Sequence, residues 1–211
     1  MNVAIDPGMS DRVCVGDEPR TLDAIDQPNV ALALWRRSID PALEAWLDEL
    51  PATALPEGRW LLPPSETAAA IEPLLPGKAE GRRLFVRDVV DLVRRFAALA
   101  ASDLVDLRLD RIDNDACRRF HVDKVDIRLL CTYRGAGTMW VPPADRAAAL
   151  ARPDSYDGTA HEMPRFAVGV CRGDSAHPGL VHRSPRLADG SKPRLLLCLN
   201  RPSLASPQRW R

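Results

Sequence analysis

The chain has 211 residues, 45% of them hydrophobic and 27% charged, a size and composition that suit a single domain with a full core. Its 29 basic residues balance 29 acidic ones, so composition offers no polyanion-binding surface and nucleic acid is not an expected partner. No apolar run reaches the ~18 residues of a membrane helix, and the opening Met1-Asn2-Val3-Ala4-Ile5-Asp6-Pro7 lacks the basic and apolar regions of a secretory signal.

Residues 1–28 carry Pro, Gly and Asp without a sustained period and read as a loosely ordered lead-in. Asn29 to Trp35 is a short apolar run with the character of a strand. Asp40-Pro41 then has the form of an N-cap followed by proline in the first turn, and predicts a helix to about Leu50 with Leu43, Trp46, Leu47 and Leu50 on one face. Pro51 stops it, and residues 51–64 read as a proline-rich connection. A second short helix is expected from Pro64-Ser65-Glu66 through Leu75, ended by Pro76-Gly77. A third runs from about Gly81 to Ala101, where Leu84, Phe85, Val89, Leu92, Val93, Phe96 and Leu99 recur at helical spacing.

The period changes near Ser102. Leu104–Ile112 alternates partly, as a half-exposed strand does, and further short strands are expected at Asp126–Tyr133, Met139–Val141, Phe166–Cys171, Leu180–His182 and Arg194–Leu199. Gly and Pro pairs punctuate them, including Pro178-Gly179 and Asp189-Gly190, and Pro143–Leu150 is the one helical interruption. Many short strands at close spacing imply a sandwich or barrel. The chain therefore reads as one domain over 1–211, with a mainly helical part at 1–102 and a β part at 103–211. The helices would brace one sheet or form a dimer interface, and the oligomeric state is not legible.

The five cysteines (Cys14, Cys117, Cys131, Cys171 and Cys198) are odd in number and contain no C-x-x-C pair. That argues against a disulfide framework or zinc ribbon and points to a reducing cytoplasm. Abundant Ala, Arg, Leu and Asp suit a GC-rich bacterial genome.

The chemistry concentrates at His121-Val122-Asp123 and His182. In a strand, residues i and i+2 share a face, so His121 and Asp123 can hold one ion from a strand edge. His182, closing a short apolar strand in Gly179-Leu180-Val181-His182-Arg183-Ser184-Pro185, can complete a facial site of two histidines and one carboxylate. That set suits non-haem Fe(II) and leaves coordination positions open. Cys117, four residues before His121, could join as a soft ligand and would favour Zn²⁺. His161 and His177 lie in apparent loops and read as exposed. Trp140, Phe120 and Met139 could line a pocket, though core positions suit them better, and the polar stretch 152–164 could cover the site.

The order His121-x-Asp123, Thr132-Tyr133, Gly135-Ala136-Gly137-Thr138, Gly173-Asp174, His182 and Arg194 resembles the Fe(II)/2-oxoglutarate dioxygenase superfamily, its prolyl-hydroxylase-like branch above all. The resemblance covers roughly residues 104–200. It implies an α+β fold with N-terminal helices packed on a double-stranded β-helix (jelly-roll, cupin-like) core. It further implies Fe(II) on His121, Asp123 and His182, and 2-oxoglutarate held through its far carboxylate by Arg194 with Tyr133. Arg128, Arg134, Arg183 and Arg186 compete with Arg194 for that anchor, and Ser184 and Arg183 flank the second histidine. The blocks Phe120–Asp123, Arg128–Gly135 and Leu180–Pro185 also look like an uncharacterised bacterial family whose members occur near zinc-responsive genes and metallochaperone GTPases. The expected activity is thus an oxygenase of the hydroxylase type acting on an unidentified small molecule or protein. The alternative is a non-redox zinc-binding protein of zinc homeostasis, using the same ligands; a cupin-like enzyme with another metal reaction ranks last.

Overall fold

The structure, a computed structural model, describes residues 12–114, 117–175, 179–186 and 192–210. In chain order the elements are β1 (Val13–Gly16), β2 (Leu32–Trp35), α1 (Pro41–Glu49), β3 (Gly58–Leu62), α2 (Thr67–Ile71), α3 (Glu80–Leu99), β4 (Val105–Ile112), β5 (Ile127–Arg134), β6 (Met139–Trp140), α4 (Arg146–Ala151), β7 (His161–Glu162), β8 (Val168–Arg172), β9 (His182–Arg183) and β10 (Arg194–Asn200), with short 3₁₀ turns between them. Among the described residues no helix is long and apolar enough to cross a membrane.

Local chemistry sets the helices. The Asp40 side chain accepts a hydrogen bond from the Ala42 N–H at 2.8 Å, and Pro41 occupies the first turn of α1, where its missing N–H costs nothing. Leu43, Trp46 and Leu47 of α1 are buried against α3, whose own buried stripe is Phe85, Val86, Val89, Leu92, Val93 and Phe96. Each such side chain contributes about 1.5–3 kcal/mol on leaving water. Gly81 lets the two helices close: a Cβ there would stand 2.6 Å from the Ala42 carbonyl oxygen and against Trp46.

Seven strands form one mixed sheet in the order β1-β2-β8-β5-β10-β4-β3, antiparallel except where β1 joins β2. A second sheet has the order β7-β6-β9, and His121 extends it by exchanging both backbone hydrogen bonds with His182 at 3.0 Å. Period-two alternation divides the large sheet between two cores. Leu107, Leu109, Leu129, Cys131, Tyr133, Leu195, Leu197 and Leu199 pack with α1 and α3 on one face. On the other face Leu32, Leu34, Leu130, Cys171, Leu196 and Cys198 meet Trp140, Met163 and Leu180 of the small-sheet side. The result is three layers: helices, large sheet, small sheet.

Most predicted elements form within a residue or two of their expected bounds. The exceptions lie among residues 12–62, where two strands form that the sequence does not announce. β1 lies in the stretch read as a lead-in and β3 in the proline-rich connection, and these two become the sheet's edges. Each is short and only partly buried, so neither carries a pattern that stands out from a loop; pairing with β2 and β4 makes them strands. His161 is half-buried in β7, not loop-exposed, because its ring stacks on Trp140 at 4.7 Å. The expectations for His177 and for the Asp189-Gly190 turn fall outside the described residues.

Candidate metal centre

His121, Asp123 and His182 converge: one ligand atom from each lies within 4.8 Å of the others. The small sheet does this work. The His121 and His182 backbones form a hydrogen-bonded antiparallel pair, which sets their rings side by side at 4.7 Å. Asp123 follows two residues on and turns to the same side, its Oδ2 at 3.2 Å from His182 Nε2 and its Oδ1 at 3.7 Å from His121 Nε2.

The tautomers follow from the partners. His121 Nδ1 lies 2.8 Å from the Arg119 carbonyl oxygen and His182 Nδ1 lies 3.2 Å from that of Leu180. A carbonyl only accepts, so both Nδ1 atoms carry protons and, in the neutral rings, both Nε2 atoms present bare lone pairs. Burial, and then the neighbouring His182, lower the His121 pKa and keep that ring neutral at physiological pH. Burial pushes the Asp123 carboxyl up, but His182, Arg128 and His121 together outweigh it and hold the carboxyl at about 2, fully ionised. Arg128 lies 2.5 Å from Asp123 Oδ1, and its Nε donates to Asn200 Oδ1 at 2.7 Å. Arg128 and Asn200 are cross-strand partners in β5 and β10, so register places this clamp. Asp123 Oδ2 is buried 3.2 Å from His182 Nε2 and has no other hydrogen-bond partner. With a neutral His182 the two acceptors repel. Either a proton on Nε2, the form in which His182 holds the carboxyl down, or a metal cation between them relieves this. Two imidazole nitrogens and a carboxylate are a donor set that fits a divalent metal.

A cavity of about 280 Å³ opens beside these ligands, lined by His121, His182, Arg128, Leu130, Thr138, Ser184 and Leu196 among others. Arg194 lies behind Ser184. Its side chain is almost wholly buried (1% exposed), and it donates to Ala136 O at 2.6 Å, Ser184 Oγ at 3.2 Å and Thr132 Oγ1 at 3.4 Å. No carboxylate among the described residues lies within ion-pairing distance of it. Burial drives its pKa down to about 10, with Glu162 acting in the opposite sense. The chain turns tightly beside it at Gly135, whose φ of +82° suits glycine and whose Cβ, if present, would stand 2.7 Å from Arg194 Cγ.

The structure separates the competing arginines. Arg128 is engaged by Asp123, Arg134 donates to the Leu50 carbonyl at 2.7 Å, Arg186 donates to the Asp154 carbonyl at 2.9 Å, and Arg183 lies over the Phe120 ring at 4.2 Å. Only Arg194 combines burial with three neutral partners.

Tyr133 points away from Arg194. Its ring packs on Phe85 in the helix-side core and its hydroxyl donates to Asp88 at 2.5 Å. Strand parity is the reason. Thr132, one residue earlier, faces the cavity side and reaches Arg194, so Tyr133 must point away. A register shift between Leu195 and Leu196, opposite Thr132 and Arg134, marks a bulge at this point. Thr132 and Thr138 are thus the site residues that sequence reading missed; the parity of Leu130 and Leu129 could have signalled the first. Cys117 lines the cavity and its carbonyl accepts from Ser184 N at 2.9 Å, but its thiol is outside the converging ligand set. Trp140 and Phe120 are buried in separate apolar clusters.

Residues 16–200 match the family described as Protein of unknown function (DUF1826). The chain belongs to this family. No curated protein is significantly similar to this DUF1826 member. Among solved structures it is similar to the Kdo hydroxylase KdoO, a non-heme Fe(II) alphaketoglutarate dependent dioxygenase, in complex with succinate and Fe(III): identity is 13%, coverage 89% of this chain and 88% of that one, and TM-score 0.47. It is also similar to a full-length Neurospora crassa protein in complex with alpha-KG, at 14% identity, 94% and 86% coverage, and TM-score 0.42.

Proposed function

We propose that this DUF1826 protein is an Fe(II)/2-oxoglutarate-dependent oxygenase of the hydroxylase type. The observation that carries the reading is the buried Arg194 guanidinium, which has no carboxylate partner among the described residues and is joined through Ser184 to the cavity of the His121, Asp123 and His182 ligand atoms. A buried cation held only by neutral oxygens is poised for an anion from outside the chain. The strand order supports the same reading. β8-β5-β10-β4 faces β7-β6-β9 and His121, as two four-stranded sheets of a double-stranded β-helix would.

His121, Asp123 and His182 would hold the metal, with Arg128 clamping one Asp123 oxygen so that the other stays available. Arg194 would bind the far carboxylate of 2-oxoglutarate with parallel hydrogen bonds, and Thr132 and Ser184 would fix its plane. Fe(II), 2-oxoglutarate and O₂, when bound, supply the oxidising chemistry that hydroxylates a C–H bond. The residues themselves orient these partners: the carbonyls at Nδ1 select the tautomer in which the neutral imidazoles offer Nε2 to a metal, and Leu130, Leu196 and Cys198 form an apolar layer beside it. The zinc-protein alternative gains nothing from the geometry, since Cys117, its best sequence feature, is not among the converging ligands.

The test is anaerobic reconstitution with Fe(II) followed by 2-oxoglutarate, watching for the weak visible band of a keto-acid chelate. The band should form in the wild type and be lost in His182→Ala. Tight stoichiometric Zn²⁺ binding with no band would overturn the reading.

A further inference from the structure

Arg183, directly beside the His182 ligand, is a charge that the proposed reaction does not use. A guanidinium next to a metal ligand is expected to be paired, yet no carboxylate among the described residues lies within ion-pairing distance of it. Its plane rests over Phe120 at 4.2 Å, its Nε is buried without an acceptor, and it lines the 280 Å³ cavity. Arg186 stands close enough to raise the local positive potential further.

Arg183 is one of four arginines on this wall, with Arg108, Arg111 and Arg128. Two are neutralised: Arg108 lies 2.7 Å from Asp110, and Arg128 lies 2.5 Å from Asp123. Arg111 has only loose partners, Asp113 at 3.8 Å and the exposed Glu57 at 3.9 Å, and its Nε is also buried without an acceptor. Among the described residues the cavity thus carries one guanidinium without a carboxylate partner, Arg183, and one held only at long ion-pair distance, Arg111, before any metal adds its own charge. It also meets a wider groove of about 670 Å³ at Cys117 and His121, whose Arg119 and Arg146 are neutralised by Asp154 at 3.1 Å and Asp174 at 2.8 Å, so the excess charge stays on the cavity side.

We infer that the primary substrate, distinct from 2-oxoglutarate, is an oxyanion-bearing compound whose anionic group is received by Arg183 and Arg111. This rests on the oxygenase reading of the same site and adds a substrate class to it. A phosphate or sulfate ester and a carboxylate share the required chemistry: planar guanidinium edges bind either with parallel charge-assisted hydrogen bonds. A neutral oxygen could accept from these Nε–H groups, but only an oxyanion adds the charge-assisted bond that offsets the buried positive charge.

The experiment is a thermal-unfolding titration of the full chain loaded with Co(II) and saturating 2-oxoglutarate, so that Arg194 is already occupied. Sodium sulfate and sodium acetate are the probes, each against sodium chloride at matched ionic strength. At least one should raise the unfolding temperature saturably above the chloride control. Response to sulfate alone assigns a tetrahedral oxyanion, and response to acetate alone a carboxylate. Arg183→Gln should raise the midpoint of that response about tenfold or more, as loss of a charge-assisted contact predicts. Arg111→Gln, at the C-terminal end of β4, reads the same site should Arg183→Gln fail to fold. The inference is overturned if neither anion exceeds chloride, or if the midpoint is unchanged in whichever variants fold. The two readings fail separately. A saturable, Arg183-dependent response without any 2-oxoglutarate-induced change in the Co(II) spectrum keeps the oxyanion site and sinks the oxygenase.

Discussion

Replacing Arg194 by Met should have two effects of very different size. The apo protein holds this guanidinium at a cost: lowering its pKa from 12.5 to about 10 corresponds to about 3 kcal/mol of unfavourable burial, at about 1.4 kcal/mol per tenfold. Met removes that cost but orphans Ala136 O, Ser184 Oγ and Thr132 Oγ1, each bond being worth about 1 kcal/mol. The terms nearly cancel, and the apo unfolding temperature should stay within a few degrees of wild type. Binding of 2-oxoglutarate has no such compensation. Two parallel hydrogen bonds to a carboxylate contribute about 3–5 kcal/mol, so the dissociation constant should rise about a hundredfold or more. Anaerobic titration of the Fe(II) protein, read by the keto-acid band, measures one effect and thermal unfolding without ligand the other. An unchanged 2-oxoglutarate midpoint in a folded Arg194→Met protein would refute the anchor, and with it the argument from the unpaired buried cation.

Asp123→Asn keeps the shape of the carboxylate and removes its charge, so metal affinity measured by chelator competition should fall by more than the 10–100-fold typical of an outer-shell change. Arg128→Gln, which only loosens the clamp on Asp123 Oδ1, should fall inside that range; equal effects of the two would argue against the assigned roles. Tyr133→Phe should leave 2-oxoglutarate binding untouched while lowering stability by about 1–3 kcal/mol through its lost bond to the Asp88 carboxylate. Native alkylation at pH 8 should label the exposed Cys117 first and the half-buried Cys14 slowly. Cys131, whose thiol burial pushes up to about 11, Cys171 and Cys198 should react only after unfolding, as peptide mapping would show.

How much of this was legible in sequence depended on the range of the interaction. The stripe of α3, the Asp40-Pro41 start of α1 and the strand runs after Ser102 are local patterns with periods of 3.6 or 2, and a linear reading finds them. His121-x-Asp123 is local too, because residues two apart share a face. Its link to His182 depends on a backbone pairing across 61 residues, which a resemblance can suggest but periodicity cannot. β1 and β3 are strands only because β2 and β4 supply partners, and their own residues carry no such signal. The choice of Thr132 over Tyr133 is a matter of strand parity across a bulge, and a one-residue change of register inverts it. Setting Arg194 apart from the other four arginines required knowing the burial and the described partners of each. Sequence shows which charges exist, and only the tertiary structure shows which are neutralised, because a buried cation is defined by the partners it lacks.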